Sequence, residues 1–167
     1  RQRLALASCL LHRPPLVFLD EPTSGVDPLT RRLFWEVIDD LAHEGVTIFV
    51  TTHVMDETEH CTRLAMMHDG HLIASGSPEQ MRSAYPAALV EVQADPLWQA
   101  LDALEQAPEV AEVALFGATL HASLLPTVTT PVFVVRGVLE RAGVTVTKAR
   151  LITPSMEDVF VALARRF

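Results

Sequence analysis

The sequence lacks the features that mark several large classes of protein. It has two cysteines, Cys9 and Cys61, without C-x-x-C spacing, which is typical of buried free thiols in a reducing compartment and not of a disulfide bridge. No apolar run approaches the ~20 residues that a membrane-spanning helix requires. Lys148 is the one lysine and the formal net charge is −8, which excludes a general nucleic-acid surface. These absences indicate a soluble cytosolic body.

What the sequence does have is an apolar run, residues 16–19, that ends in two adjacent carboxylates, Asp20 and Glu21. Pro22 follows and predicts extended backbone at Glu21. A short apolar strand is typical of a buried parallel sheet, whose carboxyl edge is where α/β folds bind ligands. Two acids there suit a magnesium site in which one holds the metal and the next activates water. A core strand followed by a solvated acidic turn explains the same six residues equally well.

A helix and a second strand are predicted next. Asp27 fits an N-cap before Pro28, and Gly45 fits the glycine that ends a helix. Residues 46–50 then predict an apolar strand that ends in Thr51-Thr52-His53. This strand–helix–strand order predicts parallel neighbours in a sheet covered on both faces. The apolar residues at helical spacing are Leu29, Leu33, Phe34, Val37, Ile38 and Leu41.

Residues 1–84 resemble the ATP-binding-cassette (ABC) ATPases, because T-S-G-V-D-P follows the two acids and T-T-H ends the next strand. Asp20 matches the position of their Walker B aspartate, and Glu21 that of their catalytic glutamate. Residues 24–27 match their D-loop, and His53 matches their switch histidine. The resemblance implies an α/β fold, namely the C-terminal part of a P-loop NTPase (ABC-type) parallel-sheet domain, with ATP and Mg²⁺ as cofactors.

Three of these residues receive chemical roles from the resemblance. Asp20 would hold magnesium through a bound water. Glu21 would orient or deprotonate the water that attacks the γ-phosphate. His53 would contact the γ-phosphate, although a histidine at a strand end is also explained by hydrogen bonds to nearby backbone.

The loop that follows would lie at a dimer interface. The resemblance places Ser24, Gly25 and Asp27 opposite the phosphate site of a second protomer. Each also has a local explanation that needs no partner. Asp27 can serve as the N-cap of the predicted helix, and Gly25 can supply an unusual backbone angle.

A phosphate-binding P-loop is absent. It needs glycines followed by a lysine and a serine or threonine, and none of the seven glycines begins such a pattern. In the family, Arg1 would fall directly after the signature loop L-S-G-G-x. The resemblance therefore predicts the C-terminal part of a nucleotide-binding subunit, which as given neither binds ATP tightly nor hydrolyses it.

The stretch after His53 predicts a short acidic helix, residues 55–61, and a hairpin around Asp69-Gly70. His53, Asp56, Glu57 and His60 do not have the H-E-x-x-H spacing of a zinc site. We interpret the acids as an acidic helix face.

A second domain is predicted over residues 87–167, after a boundary at Tyr85-Pro86-Ala87. The order β-α-β-β-α-β is that of an α+β ferredoxin-like unit, with one helix appended. Ser155 and Asp158 have the S-x-x-D form of a capping box for that helix. The longer string P-S-M-E-D-V-F resembles the tail of ATPase subunits of drug-exporter-type transporters.

The resemblance as a whole implies an ATPase subunit at the cytoplasmic face of the cell membrane. Two copies would enclose two ATP molecules and drive a separate transmembrane permease, with export as the direction. Two alternatives stay open at this point. One is a cassette ATPase that is not tied to a membrane. The other is a non-enzymatic regulatory or dimerisation module in residues 87–167.

Overall fold

A computed structural model describes residue 8 and residues 10–165 of the chain. Ser8 and Leu10 are helical. The chain divides into two compact units. One holds the described residues as far as Ala65 together with Ser75–Pro78, and the other holds Met66–Ala74 and the described residues from Glu79 onward. The domain limits at residues 84 and 87 stay a prediction.

The first unit is built on two parallel strands joined by a helix. Strand β1 (Leu16–Asp20) is followed by helix α1 (Pro28–His43) and strand β2 (Thr47–Thr51). The strands pair in parallel from Leu16↔Thr47 to Asp20↔Thr51. The predicted parallel neighbours are confirmed, and the carboxyl ends of both strands lie at one edge.

Helix α1 begins and ends at the predicted residues. The Asp27 side chain accepts a hydrogen bond of 3.0 Å from the Thr30 amide, which satisfies a donor left free at a helix start. At the other end Gly45 has φ +92°, and the amides of Gly45 and Val46 bond to carbonyls of the last turn at 3.0 and 3.1 Å. This Schellman arrangement favours a glycine, since a left-handed φ is costly for a residue with a Cβ.

One face of the β1–β2 sheet is covered by α1. Phe34, Trp35 and Ile38 are buried there and pack against apolar residues of both strands. On the opposite face Phe18 and Phe49 are 69% and 55% exposed, with their ring centroids 5.6 Å apart. The predicted covering of both faces is therefore wrong within the described residues, because alternate strand residues point to opposite faces and α1 packs on one of them. Further exposed apolar residues are Leu16, Leu29, Leu33 and Val37.

Short elements follow β2 along the chain. A 3₁₀ helix spans Met55–His60, where a short acidic helix is predicted. Strands β3 (Leu64–His68) and β4 (His71–Gly76) form the predicted hairpin, and helix α2 (Pro78–Ser83) follows. Asp69 and Gly70 have φ +46° and +78°, as a two-residue type I′ turn requires.

Cys61 is a free, half-buried thiol whose pKa is raised by burial, and Cys9 lies outside the described residues.

The second unit contains a four-stranded sheet in which every pair is antiparallel, with the strand order β6-β7-β5-β8. Its core is formed largely by fully buried aliphatic side chains, among them Val90, Val92, Leu104, Leu120, Leu124 and Leu139. The predicted order of elements is found along the chain. The elements are β5 (Ala88–Asp95), α3 (Leu97–Glu105), β6 (Val110–Phe116), β7 (Thr119–Leu124), α4 (Pro131–Arg141), β8 (Thr145–Ile152) and α5 (Met156–Ala164).

The predicted capping box opens α5. The Ser155 hydroxyl accepts a bond from the Asp158 amide, while an Asp158 oxygen accepts one from the Ser155 amide at 2.8 Å. The other oxygen lies 2.7 Å from Nδ1 of His121 on β7. Burial alone would raise the pKa of Asp158, but the bonds from His121 and Ser155 outweigh it and the pKa is lowered.

Among the described residues, no helix has the length and apolar character that a membrane span needs.

An ion-pair cluster ties β5 to β8. Glu91 and Arg150 are register partners, with Arg150 Nε and Nη2 at 2.9 and 3.2 Å from the two carboxylate oxygens. Lys148 Nζ lies 2.9 Å from the same carboxylate. Hydrogen bonds from Arg150 and Lys148 lower the pKa of Glu91 to about 2.

Candidate functional site

The carboxyl edge of the parallel strands brings Asp20 against Thr51. These are the last residues of β1 and β2, and they are paired in register. The Thr51 hydroxyl donates a hydrogen bond to Asp20 Oδ1. Asp20 is exposed, so its carboxylate lies at the surface of this edge. Sequence reasoning placed Thr51 at a strand end but missed this contact, which depends on the register between the two strands.

Glu21 leaves the strand in a left-handed conformation, with φ +41°. The predicted extended backbone is therefore wrong, although the right-handed helical region that Pro22 disfavours is avoided. The Glu21 amide donates to the carbonyl of Thr51 at 3.0 Å and lies 3.1 Å from its hydroxyl. These bonds turn the chain out of the strand direction. A positive φ is uncommon for glutamate and tends to occur at functional sites.

His53 lies beside Glu21 at the same edge. Its Nδ1 is 3.3 Å from Glu21 Oε1, and the two side chains are 64% and 50% exposed. Two carboxylates and one imidazole, from the ends of neighbouring strands, therefore share one solvent-facing edge. Such a group can polarise a water molecule and donate a hydrogen bond to an anionic oxygen.

The predicted D-loop residues lie in two consecutive turns between this edge and α1. The Ser24 amide bonds to the Glu21 carbonyl at 3.1 Å, and the Val26 amide bonds to the Thr23 carbonyl at 3.1 Å. Gly25, between them, has φ +69°. Ser24 and Gly25 are exposed.

Asp27, the last of these residues, is the N-cap of α1. Its bonds from Thr30 lower its pKa. The local explanation that the sequence offers for Asp27 is therefore present in the fold, and its role toward a partner stays a prediction.

A buried carboxylate lies beneath the edge. Glu57 is 2% exposed, and its two oxygens accept bonds from the hydroxyls of Thr23 and Thr52. Arg31 Nε is 3.5 Å from Glu57 Oε1, an ion pair without hydrogen-bond geometry. Within the predicted acidic helix face, Glu57 is turned inward by the 3₁₀ helix toward two hydroxyl groups. Sequence reasoning missed this cluster, since Thr23 and Glu57 are far apart in the chain.

The four residues whose spacing does not match a metal site, His53, Asp56, Glu57 and His60, do not form one cluster. His53 faces Glu21, and Glu57 faces the two threonines. His60 stacks on Trp35 with ring centroids 4.6 Å apart, and its Nδ1 is 3.0 Å from Asp39 Oδ2. Over the part of the chain that the structure describes, no group of three or more His, Cys, Asp or Glu could hold a metal ion.

The edge nevertheless fits one mode of magnesium binding. Mg²⁺ keeps several waters and takes one or two carboxylates together with phosphate oxygens of a substrate. Asp20 supplies one exposed carboxylate, and among the described residues the hydrogen bond from Thr51 occupies Oδ1 alone. Asp20 is thus suited to hold a hydrated magnesium ion whose remaining ligands come from a nucleotide.

Comparison with known proteins gives a family match that includes this edge and relatives for part of the chain. A family model described as "AAA domain, putative AbiEii toxin, Type IV TA system" matches residues 2–55. The chain is 57% identical over 83 residues to the "Probable multidrug ABC transporter ATP-binding protein YbhF" of Escherichia coli (strain K12), which is 50% of this chain and 14% of that protein. Half of the chain is thus similar to the ATP-binding protein of an ABC transporter.

Two further relatives share one name. The "Nod factor export ATP-binding protein I" of Rhizobium meliloti (strain 1021) is 46% identical over 82 residues, 48% of this chain and 24% of that protein. The protein of the same name from Cupriavidus metallidurans is 39% identical over 115 residues, 68% of this chain and 38% of that protein. The resemblance to the ABC ATPases is confirmed, and the chain spans less than two fifths of the length of these relatives.

Proposed function

We propose that the chain supplies the hydrolytic edge of an ABC transporter ATPase that drives export through a separate transmembrane permease. The observation that carries this proposal is the 3.3 Å contact between His53 Nδ1 and Glu21 Oε1, beside the exposed carboxylate of Asp20. The names of the relatives, which speak of multidrug transport and Nod factor export, support an export role.

Each residue of the edge has a part in this reaction. Asp20 would hold the Mg²⁺ of Mg·ATP through a water, and that ion would neutralise charge on the phosphates. Glu21 accepts a hydrogen bond from the attacking water and orients it toward the γ-phosphate. His53 would lie against the Glu21 carboxylate and contact the γ-phosphate. Catalysis would come mainly from positioning and charge stabilisation.

A second copy of the subunit would complete the site. Ser24, Gly25 and Asp27 would face the phosphates bound by the partner copy, and the exposure of Ser24 and Gly25 is compatible with this placement. The permease would bind the dimer at the cytoplasmic face of the cell membrane.

Two domains are part of the proposal. Residues 1–84 would belong to the nucleotide-binding domain, and residues 87–167 would form a ferredoxin-like accessory domain. The strand order β6-β7-β5-β8, with antiparallel pairing throughout, supports the second assignment.

The test is magnesium-dependent ATP turnover by the product of the complete gene that contains this sequence, together with its Glu21→Gln variant. We expect turnover by the wild type and a loss of about 10²- to 10⁴-fold in the variant, since a positioned base contributes that much. Glu44→Gln, an exposed glutamate at the end of α1, is the matched control and should leave the rate unchanged. An unaltered rate in Glu21→Gln would remove Glu21 from the mechanism, and no turnover in the wild type would overturn the ATPase itself.

A further inference from the structure

We propose that Glu57 is a positioning residue that joins the 21–27 loop to the His53 segment and so holds Glu21 against His53. The inference rests on the proposed function for its catalytic consequence. Its structural part stands on the buried contacts of Glu57 alone.

The two oxygens of Glu57 serve two different segments of the chain. Oε1 accepts a bond from the hydroxyl of Thr23, which lies in the 21–27 loop. Oε2 accepts a 2.7 Å bond from the hydroxyl of Thr52, which directly precedes His53. One carboxylate therefore connects the residue two positions after Glu21 with the residue one position before His53.

Thr52 extends this connection into the backbone. Its hydroxyl oxygen also accepts a 3.0 Å bond from the Val54 amide. The Thr52 side chain, which donates to Glu57, therefore also binds the backbone directly after His53. The backbone that carries the imidazole is thus fixed by a side chain that Glu57 orients.

Burial makes these bonds costly to break. Glu57 and Thr23 are each 2% exposed, and an ionised carboxylate at such a position is stable only with partners. Arg31 supplies the compensating charge at 3.5 Å. If the 21–27 loop moves away, Oε1 loses its hydroxyl donor where water cannot replace it. Through Glu57, the His53 segment therefore opposes a shift of the 21–27 loop, and the loop opposes a shift of the His53 segment.

A residue that only stabilised the 3₁₀ helix would behave differently. Its loss would lower the folded fraction, and the surviving molecules would keep normal kinetics. Loss of a positioning residue lowers kcat in folded protein, because a misplacement near 1 Å at a catalytic group can cost on the order of 10²-fold in rate.

The experiment uses the complete gene product and its Glu57→Gln variant, which keeps the side-chain shape but lacks the charge and one acceptor. We expect kcat to fall by on the order of 10- to 100-fold with the KM for Mg·ATP changed less than about twofold. Asp56→Asn, one position earlier and exposed, is the matched control and should keep the wild-type kcat. Rates are referred to the folded fraction measured by circular dichroism.

A second measurement needs no activity. Thr23→Val removes one hydroxyl from the 21–27 loop, and hydrogen exchange is followed by mass spectrometry in the peptide that covers residues 52–58. We expect faster exchange in that remote peptide in Thr23→Val, and in both segments in Glu57→Gln. In the Glu57→Gln background, Thr23→Val should add nothing to exchange at residues 52–58.

The outcomes separate the two proposals. No ATP turnover by the wild type overturns the proposed function, while the exchange data still decide whether Glu57 joins the segments. Unchanged exchange at residues 52–58 in Thr23→Val, or a wild-type kcat in folded Glu57→Gln, overturns the positioning role.

Discussion

Asp20 and Glu21 are neighbours in the chain but differ in how the fold holds them. Asp20 is the last paired residue of β1, and its carboxylate accepts the hydroxyl of Thr51. Glu21 has left the strand with φ +41°, and its carboxylate lies beside His53. The same residue pair can therefore divide two tasks, because the backbone turn between them points the carboxylates at different partners.

The ion pairs of Glu91 give a prediction for acid stability. Because Arg150 and Lys148 lower its pKa from 4.5 to about 2, the folded state binds fewer protons than the unfolded state between these values. The stability from this carboxylate is complete above pH 4.5 and is lost as the pH falls toward 2. Wild type should therefore have a higher Tm than Glu91→Gln at neutral pH, and the difference should shrink across that window.

The measurement is Tm against pH for both proteins. Glu105→Gln, an exposed glutamate on α3, is the control and should differ little from wild type at any pH. A difference between wild type and Glu91→Gln that stays constant down to pH 2 would contradict the assignment.

For single residues, the sequence predicts which of them lie at the carboxyl edge of β1 and β2 but not which contacts hold them there. Asp20, Glu21 and His53 follow apolar strands, and strand ends can be recognised from composition. The positive φ of Glu21 and the burial of Glu57 could not be predicted, because both depend on residues about 30 positions away. A run such as Asp56-Glu57 gives no local indication of which acid turns inward.

Helix ends are the elements that local sequence predicts best. The N-cap Asp27, the terminal Gly45 and the capping box at Ser155 all occur where the residue types indicate. The reason is that each is satisfied by contacts within a few residues. The sides of α1 were harder to assign, since Leu29, Leu33 and Val37 are exposed while Phe34 and Ile38 are buried. The side of α1 that is buried is the one that packs against β1 and β2.

Two glycines should respond to alanine in opposite directions. Gly45→Ala places a Cβ on a residue with φ +92°, which should lower the free energy of unfolding by about 1 kcal/mol. Gly137→Ala lies within α4, where a Cβ meets only the Arg141 side chain at 3.5 Å, and should raise it by about 0.5–1 kcal/mol. Urea unfolding followed by circular dichroism measures both. Equal effects of the two substitutions would show that the backbone conformation at Gly45 does not determine the outcome.

On the scale of the molecule, the order of elements follows from the sequence but the covering of surfaces does not. Apolar strands predict a sheet with two buried faces, and the described residues cover one. β1 has large apolar residues on both faces, and Phe49 lies between two threonines on the outer face of β2, so the sequence of the strands gives little indication of which face a neighbour occupies. The open face is formed by Leu16, Phe18 and Phe49, which are exposed over the part of the chain that the structure describes.

The open face leads to a prediction about the chain handled alone. Phe18→Thr with Phe49→Thr should reduce concentration-dependent association, measured by light scattering, because it removes adjacent exposed rings without changing strand preference. Phe133→Thr, which removes a 77% exposed ring from α4, is the control and should change association less. Equal association in wild type and the double variant would exclude the open face as its cause.

The pairing of Asp20 with Thr51 also limits how this protein can change by insertion and deletion. One residue added within β1 or β2 would move a strand end by about 3.3 Å and reverse the direction of every side chain beyond it, so the edge would be lost at once. Both ends of α1 are fixed by capping, at Asp27 and at Gly45. Variation in chain length among descendants of this gene should therefore accumulate in the other exposed loops, and the strands themselves should keep their lengths.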